Sequence, residues 1–423
     1  SLPSLLPCAA ATDPGIACVD TFLDTYVARL FRRPISEEER ANLVATYDGG
    51  RATGASFTEA LAMVAAHALQ SPQFLYITEA AAGESRELDG YELASRLSFF
   101  LWETIPDETL LAKAEAGQLA DPEVRANEAR RMLADPKADA ALLRFFREWT
   151  LTEDVTAANK DPNLVPGFDD AYAASMAASF DRFLLDQART GTLESLLTSR
   201  DVWVDANMAR FFDQDEPTEW EKRTLDERYS GLATQPLFLA SAAHYGDASY
   251  VARGKFVRIR LLCSDLGAPP ADAQSQFAAL PKPADPTGKE TSASVTSNDS
   301  CGGCHRQIDP GGLALESFGA LGEYRTAYPS GKPVDPSGVL LGAGEDDVTF
   351  STHTDMFAAL ANNPAVAACF GKQVVRFGLS RPDEIEDSCT AGDVGDVVAA
   401  PGGTLAEAMV AMAASDAFRF RRD

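Results

Sequence analysis

The chain has 423 residues, 45% of them hydrophobic and 24% charged, a composition typical of a globular protein large enough for more than one hydrophobic core. It carries 37 basic and 63 acidic side chains, for a net charge of −26. Because the acidic residues are spread along the chain, they repel phosphate backbones and anionic lipids, which argues against nucleic acid and acidic membranes as partners.

Apolar residues recur at helical spacing through most of the chain, and strand-like alternation is scarce. The sequence therefore predicts a mostly α protein built of several helical modules, with little β structure. Ser36 followed by Glu39 is the capping-box signature of a helix start. In chain order, the predicted helices cover residues 18–31, a segment beginning after Ser36, and residues 56–69, 89–102, 107–116, 121–133, 136–149, 169–190, 229–243, 253–266, 355–378 and 404–418. No stretch approaches about 18 uncharged apolar residues, so no transmembrane segment is expected.

Two segments depart from this helical pattern. Residues 267–300 are rich in Pro, Ala, Ser, Thr and Asp, which predicts a long loop or linker. A connection of that length is unusual inside a compact domain, so we expect it to wrap the surface or to shield something. Residues 328–350 are rich in Gly, Pro and Asp and precede the last helices.

Seven cysteines bear on the compartment of the protein. Cys8 and Cys18 flank a short loop and Cys369 and Cys389 bracket a helix-like run, so a disulfide is predicted within each pair, the alternative being buried free thiols. Cys263 ends an apolar helical run and is expected to pack, although a bridge to it stays open. Disulfides persist in oxidising compartments, which favours a periplasmic or extracellular location, with any signal peptide already removed.

The remaining two cysteines lie in the sequence CGGCH at residues 301–305. CxxCH is the attachment motif of c-type haem. Cys301 and Cys304 can reach the two vinyl groups of one porphyrin, and the imidazole of His305 can bind the iron as its proximal ligand. The alternatives are a redox dithiol and half of a zinc site. Zinc needs a second Cys/His pair at short spacing, and none is visible, so the motif favours one covalent haem c.

Five segments resemble the planctomycete-type cytochrome c proteins, which also occur in myxobacteria and consist of several modules of unknown function. They are SPQFLY at 71–76, LDGYELASRLSFFLW at 88–102, RMLADP at 131–136, RGK at 253–255 and CGGCHRQIDPGGLALESF at 301–318. The resemblance implies an exported haem c protein of no settled activity. It also implies four modules: an N-terminal helical one (1–84), a larger helical one (85–224), the haem-bearing one (225–327, including the linker 267–300) and a C-terminal helical one (328–423).

The sixth ligand of the iron decides what such a haem can do. A Met or a second His favours electron transfer, whereas an open position permits peroxide or oxygen chemistry. Met356 and His244 are the distal candidates. Met356 also fits the apolar face of a helix, and His244 precedes the helix that leads to the linker. The sequence leaves the choice open.

Other polar residues near the motif have candidate roles. Glu316 can hydrogen-bond near the proximal imidazole, or act as a catalytic acid or base if the distal side is open. Arg306 and Arg325 can pair with haem propionates or lie on the surface. Asp309, which precedes a proline, is expected to form a turn and cap the haem-binding helix. The loop 335–347 has enough oxygen atoms for Ca²⁺ but lacks the EF-hand spacing.

These observations favour an exported monohaem c-type cytochrome that acts in electron transfer and serves an oxidative process on an extracellular substrate. Its acidic surface favours a redox partner protein with a basic docking surface, since complementary charge speeds association. The alternative is a haem-dependent oxidoreductase, peroxidase- or oxidase-like, with an open distal site. A third hypothesis treats the helical modules as a binding scaffold in which the haem is a structural element.

Overall fold

The computed structural model describes residues 2–11, 14–77, 86–156, 159–280 and 284–421. These residues form a mostly α structure, which confirms the predicted fold class. The chain divides into two compact units. The first comprises Ser1–Ala141 with Ala413–Asp423, and the second comprises Leu142–Met412. The division into four modules stays a prediction.

The first unit is a set of helices with one short pair of antiparallel strands. Its helices are α1 (Leu2–Leu5), α2 (Gly15–Phe22), α3 (Ala28–Phe31), α4 (Glu37–Ala52), α5 (Phe57–Gln70), α6 (Pro72–Leu75), α7 (Gly90–Trp102), α8 (Glu108–Glu115), α9 (Pro122–Ala134) and, near the C-terminus, α23 (Asp416–Arg419). Strand β1 (Arg86–Glu87) pairs with β6 (Phe420–Arg421). A π-helical turn joins α2 to α3, so the predicted helix over 18–31 is continuous.

Helix starts in the first unit follow their capping residues. Ser36 accepts from the backbone N–H of Glu39 while the Glu39 carboxylate accepts from the N–H of Ser36, which is the predicted capping box. The same reciprocal arrangement begins α5 at Ser56 and α7 at Asp89. The disulfide Cys8–Cys18 is also as predicted. Local sequence signals therefore set the boundaries of these helices.

The second unit contains the remaining helices and two further strand pairs. Its helices are α10 (Ala138–Thr150), α11 (Asp170–Thr190), α12 (Leu193–Thr198), α13 (Ala206–Phe211), α14 (Pro236–Ser241), α15 (Tyr250–Lys255), α16 (Ala273–Ala279), α17 (Gly288–Thr296), α18 (Asp299–Leu313), α19 (His353–Ala361), α20 (Pro364–Leu379), α21 (Ser388–Ala399) and α22 (Leu405–Ala414). Strand β2 (Asp201–Val204) pairs with β3 (Glu221–Thr224), and β4 (Gly338–Leu340) pairs with β5 (Val348–Phe350), both antiparallel.

Several predicted helices of the second unit differ from those observed. The predicted helix 229–243 shortens to α14, because Gly231 has a positive φ of 59° and a proline begins α14. The predicted helix 355–378 divides into α19 and α20 at Asn363, which caps α20 ahead of Pro364. The linker 267–300 contains α16 and α17, and its residues 281–283 lie outside the described residues. Helix α21 was not predicted.

The prediction of a Cys369–Cys389 disulfide is wrong. Cys369 instead bridges to Cys263, 106 residues earlier in the chain. Cys389 is an exposed free thiol. The bridge fastens the segment after α15 to α20, so it connects parts of the second unit that are distant in sequence. In the described ranges no helix is both long and apolar enough to cross a bilayer.

Candidate functional site

Helix α18 carries the CGGCH motif in its first two turns. The side chain of Asn298 caps the helix, because its Oδ1 accepts from the backbone N–H groups of Ser300 at 2.9 Å and Cys301 at 3.2 Å. Cys301 and Cys304 lie one turn apart and are both free, half-buried thiols. They therefore occupy neighbouring positions on one side of the helix, as attachment to a single porphyrin requires.

The imidazole of His305 is held by a buried carboxylate one turn further along α18. Its Nδ1 lies 2.9 Å from Oδ1 of Asp309, which is 1% exposed. Oδ2 of Asp309 accepts a 2.6 Å hydrogen bond from the hydroxyl of Ser292 on α17. Since an ionised carboxylate only accepts, Nδ1 of a neutral His305 carries the proton and Nε2 keeps its lone pair. This is the arrangement of a metal-binding histidine with its supporting carboxylate.

Asp309 does not form the turn predicted for it. It lies inside α18, which continues through Pro310 to Leu313. The signal that identifies its role is the spacing of four residues from His305, which places both side chains on the same face of a helix. The sequence analysis therefore missed the contact between Asp309 and His305.

The residues present fit a covalently bound haem c. Two free thiols stand at the correct spacing beside an imidazole whose Nε2 is available. Of the two glycines between them, Gly303 faces open space, since a Cβ there would have no neighbour within 4 Å, whereas a Cβ on Gly302 would lie 2.5 Å from the carbonyl oxygen of Thr296. By contrast, no group of three or more His, Cys, Asp or Glu side chains in the described residues is arranged to hold a metal ion, so the zinc alternative has no support.

Helix α15 crosses α18 at very short range just beyond the motif. A Cβ on Gly312 would lie 1.7 Å from the carbonyl oxygen of Tyr250, and one on Gly254 would lie 2.1 Å from that of Ile308. Only glycine allows the two backbones to approach so closely. The crossing supports α18 from the side opposite to solvent and thereby positions the motif.

Replacing Gly312 by Ala should lower the free energy of unfolding by about 1–3 kcal/mol, because the added methyl group must push α15 away from α18. Gly303→Ala on the same helix is the matched control and should not be destabilising, since its Cβ meets open space. Chemical denaturation followed by circular dichroism measures both. Equal stabilities for the two variants would contradict the close crossing.

The guanidinium of Arg253 on α15 is fully buried and organises the chain after α18. It donates to the carbonyl oxygens of Leu315 at 2.8 Å, Phe318 at 2.7 Å and Gly319 at 2.7 Å, with a longer bond of 3.3 Å to Leu239. Burial lowers its pKa to about 10. The group stays charged at neutral pH, and charge-assisted hydrogen bonds of this kind are strong.

Three protein-family models match consecutive parts of the chain. They are PSD5, a protein of unknown function (DUF1595), at residues 18–79, PSD4, a protein of unknown function (DUF1592), at 88–213, and PSCyt3, a protein of unknown function (DUF1588), at 229–328. The chain belongs to the planctomycete-type cytochrome c family. The PSCyt3 match includes α15, α17 and the whole of α18. No curated protein and no solved structure matches the chain.

Glu316 lies in a buried polar cluster beyond the end of α18. Its Oε2 accepts from the hydroxyl of Tyr328 at 2.9 Å and lies 3.6 Å from Nη2 of Arg325. Burial raises the pKa of the Glu316 carboxyl, against the opposing effect of the Tyr328 hydrogen bond and of Arg253 and Arg325. These partners give Glu316 a structural role, and its catalytic role stays a prediction.

The two arginines predicted to pair with propionates differ in their surroundings. Nε of Arg325 donates to the carbonyl oxygen of Glu316 at 2.9 Å and its Nη1 donates to Asp247 at 3.1 Å. Arg306 is exposed on α18, and its Nη1 donates to the carbonyl oxygen of Thr296 at 2.9 Å. Arg325 is therefore already paired with carboxylates, while the partner of Arg306 among the described residues is a carbonyl oxygen.

The distal candidates occupy very different environments. Met356 is completely buried on α19. His244 is exposed in the turn after α14, where its backbone N–H donates to the carbonyl oxygen of Asp247. His353, at the start of α19, is buried and its Nε2 donates to the carbonyl oxygen of Arg228 at 2.8 Å. Met356 is thus a core residue of α19 and His244 a surface residue, and the role of each as an iron ligand stays a prediction.

The calcium site expected in the loop 335–347 has no support. The Asp335 carboxylate accepts from Lys289 and from the backbone N–H and hydroxyl of Ser337. Asp347 accepts from the backbone N–H of Gly342 at 2.6 Å. The carboxylates that could have gathered around a cation instead organise the loop itself.

Proposed function

We propose that the chain is an exported monohaem c-type cytochrome that transfers electrons. The haem would be linked to the thiols of Cys301 and Cys304, with His305 as the proximal ligand of its iron. The observation that carries the proposal is the buried Asp309 carboxylate on Nδ1 of His305, 2.9 Å away, which leaves Nε2 as the ligand atom. The membership of the chain in a family of cytochrome c-type proteins supports the same role.

A haem c bound there supplies one-electron oxidation and reduction of its iron. The protein's residues hold and tune the ligand. Asp309 fixes the tautomer and the ring orientation of His305 and raises its basicity, and Ser292 fixes Asp309. Arg306 is the better propionate partner, because its guanidinium is exposed one residue from His305 and has no carboxylate partner in the described structure.

The compartment and the partner follow from the disulfides and the charge. Two disulfides, Cys8–Cys18 and Cys263–Cys369, are typical of a protein that matures in an oxidising compartment. We therefore propose a periplasmic or extracellular location. A net charge of −26 suits a redox partner whose docking surface is basic.

An electron-transfer role predicts a six-coordinate, low-spin haem in both oxidation states, because such a haem changes its coordination little when it is reduced. Absorption and resonance Raman spectra of the purified protein measure this. If Met356 or His244 is the sixth ligand, its replacement by Ala should make the haem high-spin, whereas the other variant stays low-spin. A wild-type protein that is high-spin in the ferric state and reacts with peroxide would contradict the proposal and favour the haem enzyme.

Asp309→Asn should raise the reduction potential of the haem. An amide oxygen accepts from Nδ1 less strongly than a carboxylate, so His305 becomes a weaker donor and the ferric state loses stability. Mutating a residue that hydrogen-bonds to a metal ligand typically lowers the metal affinity about 10–100-fold. For a one-electron couple, a change of that size in favour of the ferrous state is roughly 60–120 mV.

Redox titration of the two proteins measures the change caused by Asp309→Asn. The matched control is Ser292→Ala, which removes the hydroxyl donor from the carboxylate but leaves the carboxylate on His305. It should shift the potential by a smaller amount. An Asp309→Asn potential equal to that of the wild type would show that Asp309 does not support the proximal ligand.

A further inference from the structure

The second unit contains a cleft that no residue of the CGGCH motif lines. Its walls come from α10, from the π-helical segment that follows α15, and from α20 with the turn after it. The volume is about 540 Å³, which is in the range of small-molecule sites. The Cys263–Cys369 disulfide joins the second and third of these walls, so the cleft is held in a fixed shape.

Cationic side chains dominate the lining of this cleft in a protein that is strongly acidic as a whole. Four arginines and one glutamate contribute to it, namely Arg144, Arg260, Arg376, Arg381 and Glu148. Three of the arginines have carboxylate partners. Arg144 pairs with Glu148 at 3.4 Å, Arg376 pairs with Asp383, and Arg381 forms a two-point pair with Asp387 at 2.7 and 3.0 Å.

Arg260 is the exception. Its Nε is buried without a hydrogen-bond partner, and no carboxylate of the described residues pairs with it. Burial and the neighbouring charge of Arg376 both lower the pKa of Arg260. Arg260 is half-buried, and beside the second cation Arg376 it carries a charge that no carboxylate of the described residues neutralises, so an anion that enters the cleft can pair with it.

The rest of the lining comprises three aromatic residues, Phe145, Trp149 and Phe377, together with Gln373, Ser380 and Pro382. The indole of Trp149 donates to the carbonyl oxygen of Arg260 at 2.8 Å, which fixes the ring beside that residue. Phe145 packs between the other rings, 6.2 Å from Trp149 and 5.2 Å from Phe377. The guanidinium of Arg144 lies over the Phe377 ring at 4.4 Å. Phe145 and Trp149 are each only 2% exposed, whereas Phe377 is half-buried and Pro382 is exposed. The cleft therefore offers a ligand some apolar surface, chiefly at Phe377 and Pro382, beside its cationic groups.

We propose that the cleft binds a small organic carboxylate with an aromatic or apolar body, whose carboxylate pairs with Arg260. A guanidinium matches a carboxylate in a two-point geometry, and the apolar part of the lining accommodates the remainder of the ligand. The glutamate at the rim is engaged by Arg144, so it does not occupy Arg260. The lining of this site includes none of Cys301, Cys304 and His305, so the proposal does not depend on the proposed electron-transfer role.

Titration of the full-length purified protein with benzoate, followed by ligand-observed NMR, tests the site. Benzamide has the same shape without the charge and should bind at least tenfold more weakly to the same protein. This comparison needs no variant, so it holds even if a substitution prevents folding. Inorganic phosphate is the third probe and should also bind at least tenfold more weakly, because it lacks the apolar body.

The variant Arg260→Met keeps the apolar stem and removes the charge, so it should weaken benzoate binding at least tenfold. Lys372→Met removes the same charge from α20 outside the cleft lining and should leave binding within a factor of two. Equal affinities for benzoate and benzamide, unchanged binding in Arg260→Met, or no binding of benzoate would overturn the proposal. Phosphate binding as tight as that of benzoate would also overturn it, in favour of an inorganic anion site.

Discussion

Replacing Cys301 and Cys304 together by Ala should abolish covalent attachment of haem in a bacterial host that matures c-type cytochromes. Both thiols are free and lie one turn apart on α18, and attachment forms a thioether bond with each. Without them the porphyrin is held by His305 alone and is lost on denaturation. The denatured wild-type protein should have the mass of the polypeptide plus one haem, and it should show a Soret band. The denatured double variant should have the mass of the polypeptide alone and no Soret band.

The chain offers a matched control for this experiment. Cys389 is the third free cysteine and is exposed on α21, so Cys389→Ala should keep the full haem content. The motif has two proposed functions, covalent attachment of the haem and ligation of its iron. His305→Ala separates them, because the thioether links can still form while the proximal ligand is missing. A denatured wild-type protein without a Soret band would remove the basis of the proposed function.

The CGGCH motif was predictable because the chemistry of attachment depends on residues close together in sequence. The spacing of Cys301, Cys304 and His305 defines the site, and a single helical turn brings the three side chains together. Helix starts were predictable for the same reason. The capping box of Ser36 and Glu39 is a four-residue signal, and the structure contains it.

The role of Asp309 was missed for a physical reason that is also local. An aspartate before a proline is a common turn former, and that interpretation hid the four-residue spacing from His305. The helix continues through Pro310, supported by its close crossing with α15. Packing between helices thus overrode the local preference for a turn.

Composition was a poor guide to the segment 267–300. Its Pro, Ser and Thr content predicts a linker, yet α17 lies within it and begins with a capping box of Thr287 and Glu290. Helix α17 has few bulky apolar residues. Its buried residues are Gly288, Ser292 and Val295, and Ser292 hydrogen-bonds to Asp309 of α18. A short helix supported by its neighbour does not need a strong apolar face of its own.

Removing the Cys263–Cys369 disulfide should cost the second unit much of its stability. The bridge closes a loop with a sequence separation of 106 residues, and the chain-entropy estimate for a loop of about 100 residues is roughly 4.7 kcal/mol. We expect Cys263→Ser with Cys369→Ser to lower the free energy of unfolding by about 3–5 kcal/mol, measured by chemical denaturation under oxidising conditions. The bridge also fixes a wall of the cleft that Arg260 and Arg376 line, so benzoate binding should weaken in the same variant.

Cys389→Ser is the control for this variant, because sequence proximity alone predicts that Cys389 pairs with Cys369. Cys369 and Cys389 are only 20 positions apart, whereas the observed partner of Cys369 is distant in sequence and becomes close only after α20 has packed beside the segment after α15. Cys389→Ser should therefore leave the unfolding free energy unchanged to within about 0.5 kcal/mol, as expected for an exposed side chain. If Cys389→Ser were instead as destabilising as Cys263→Ser, the local pairing would be correct and the long-range bridge would not exist.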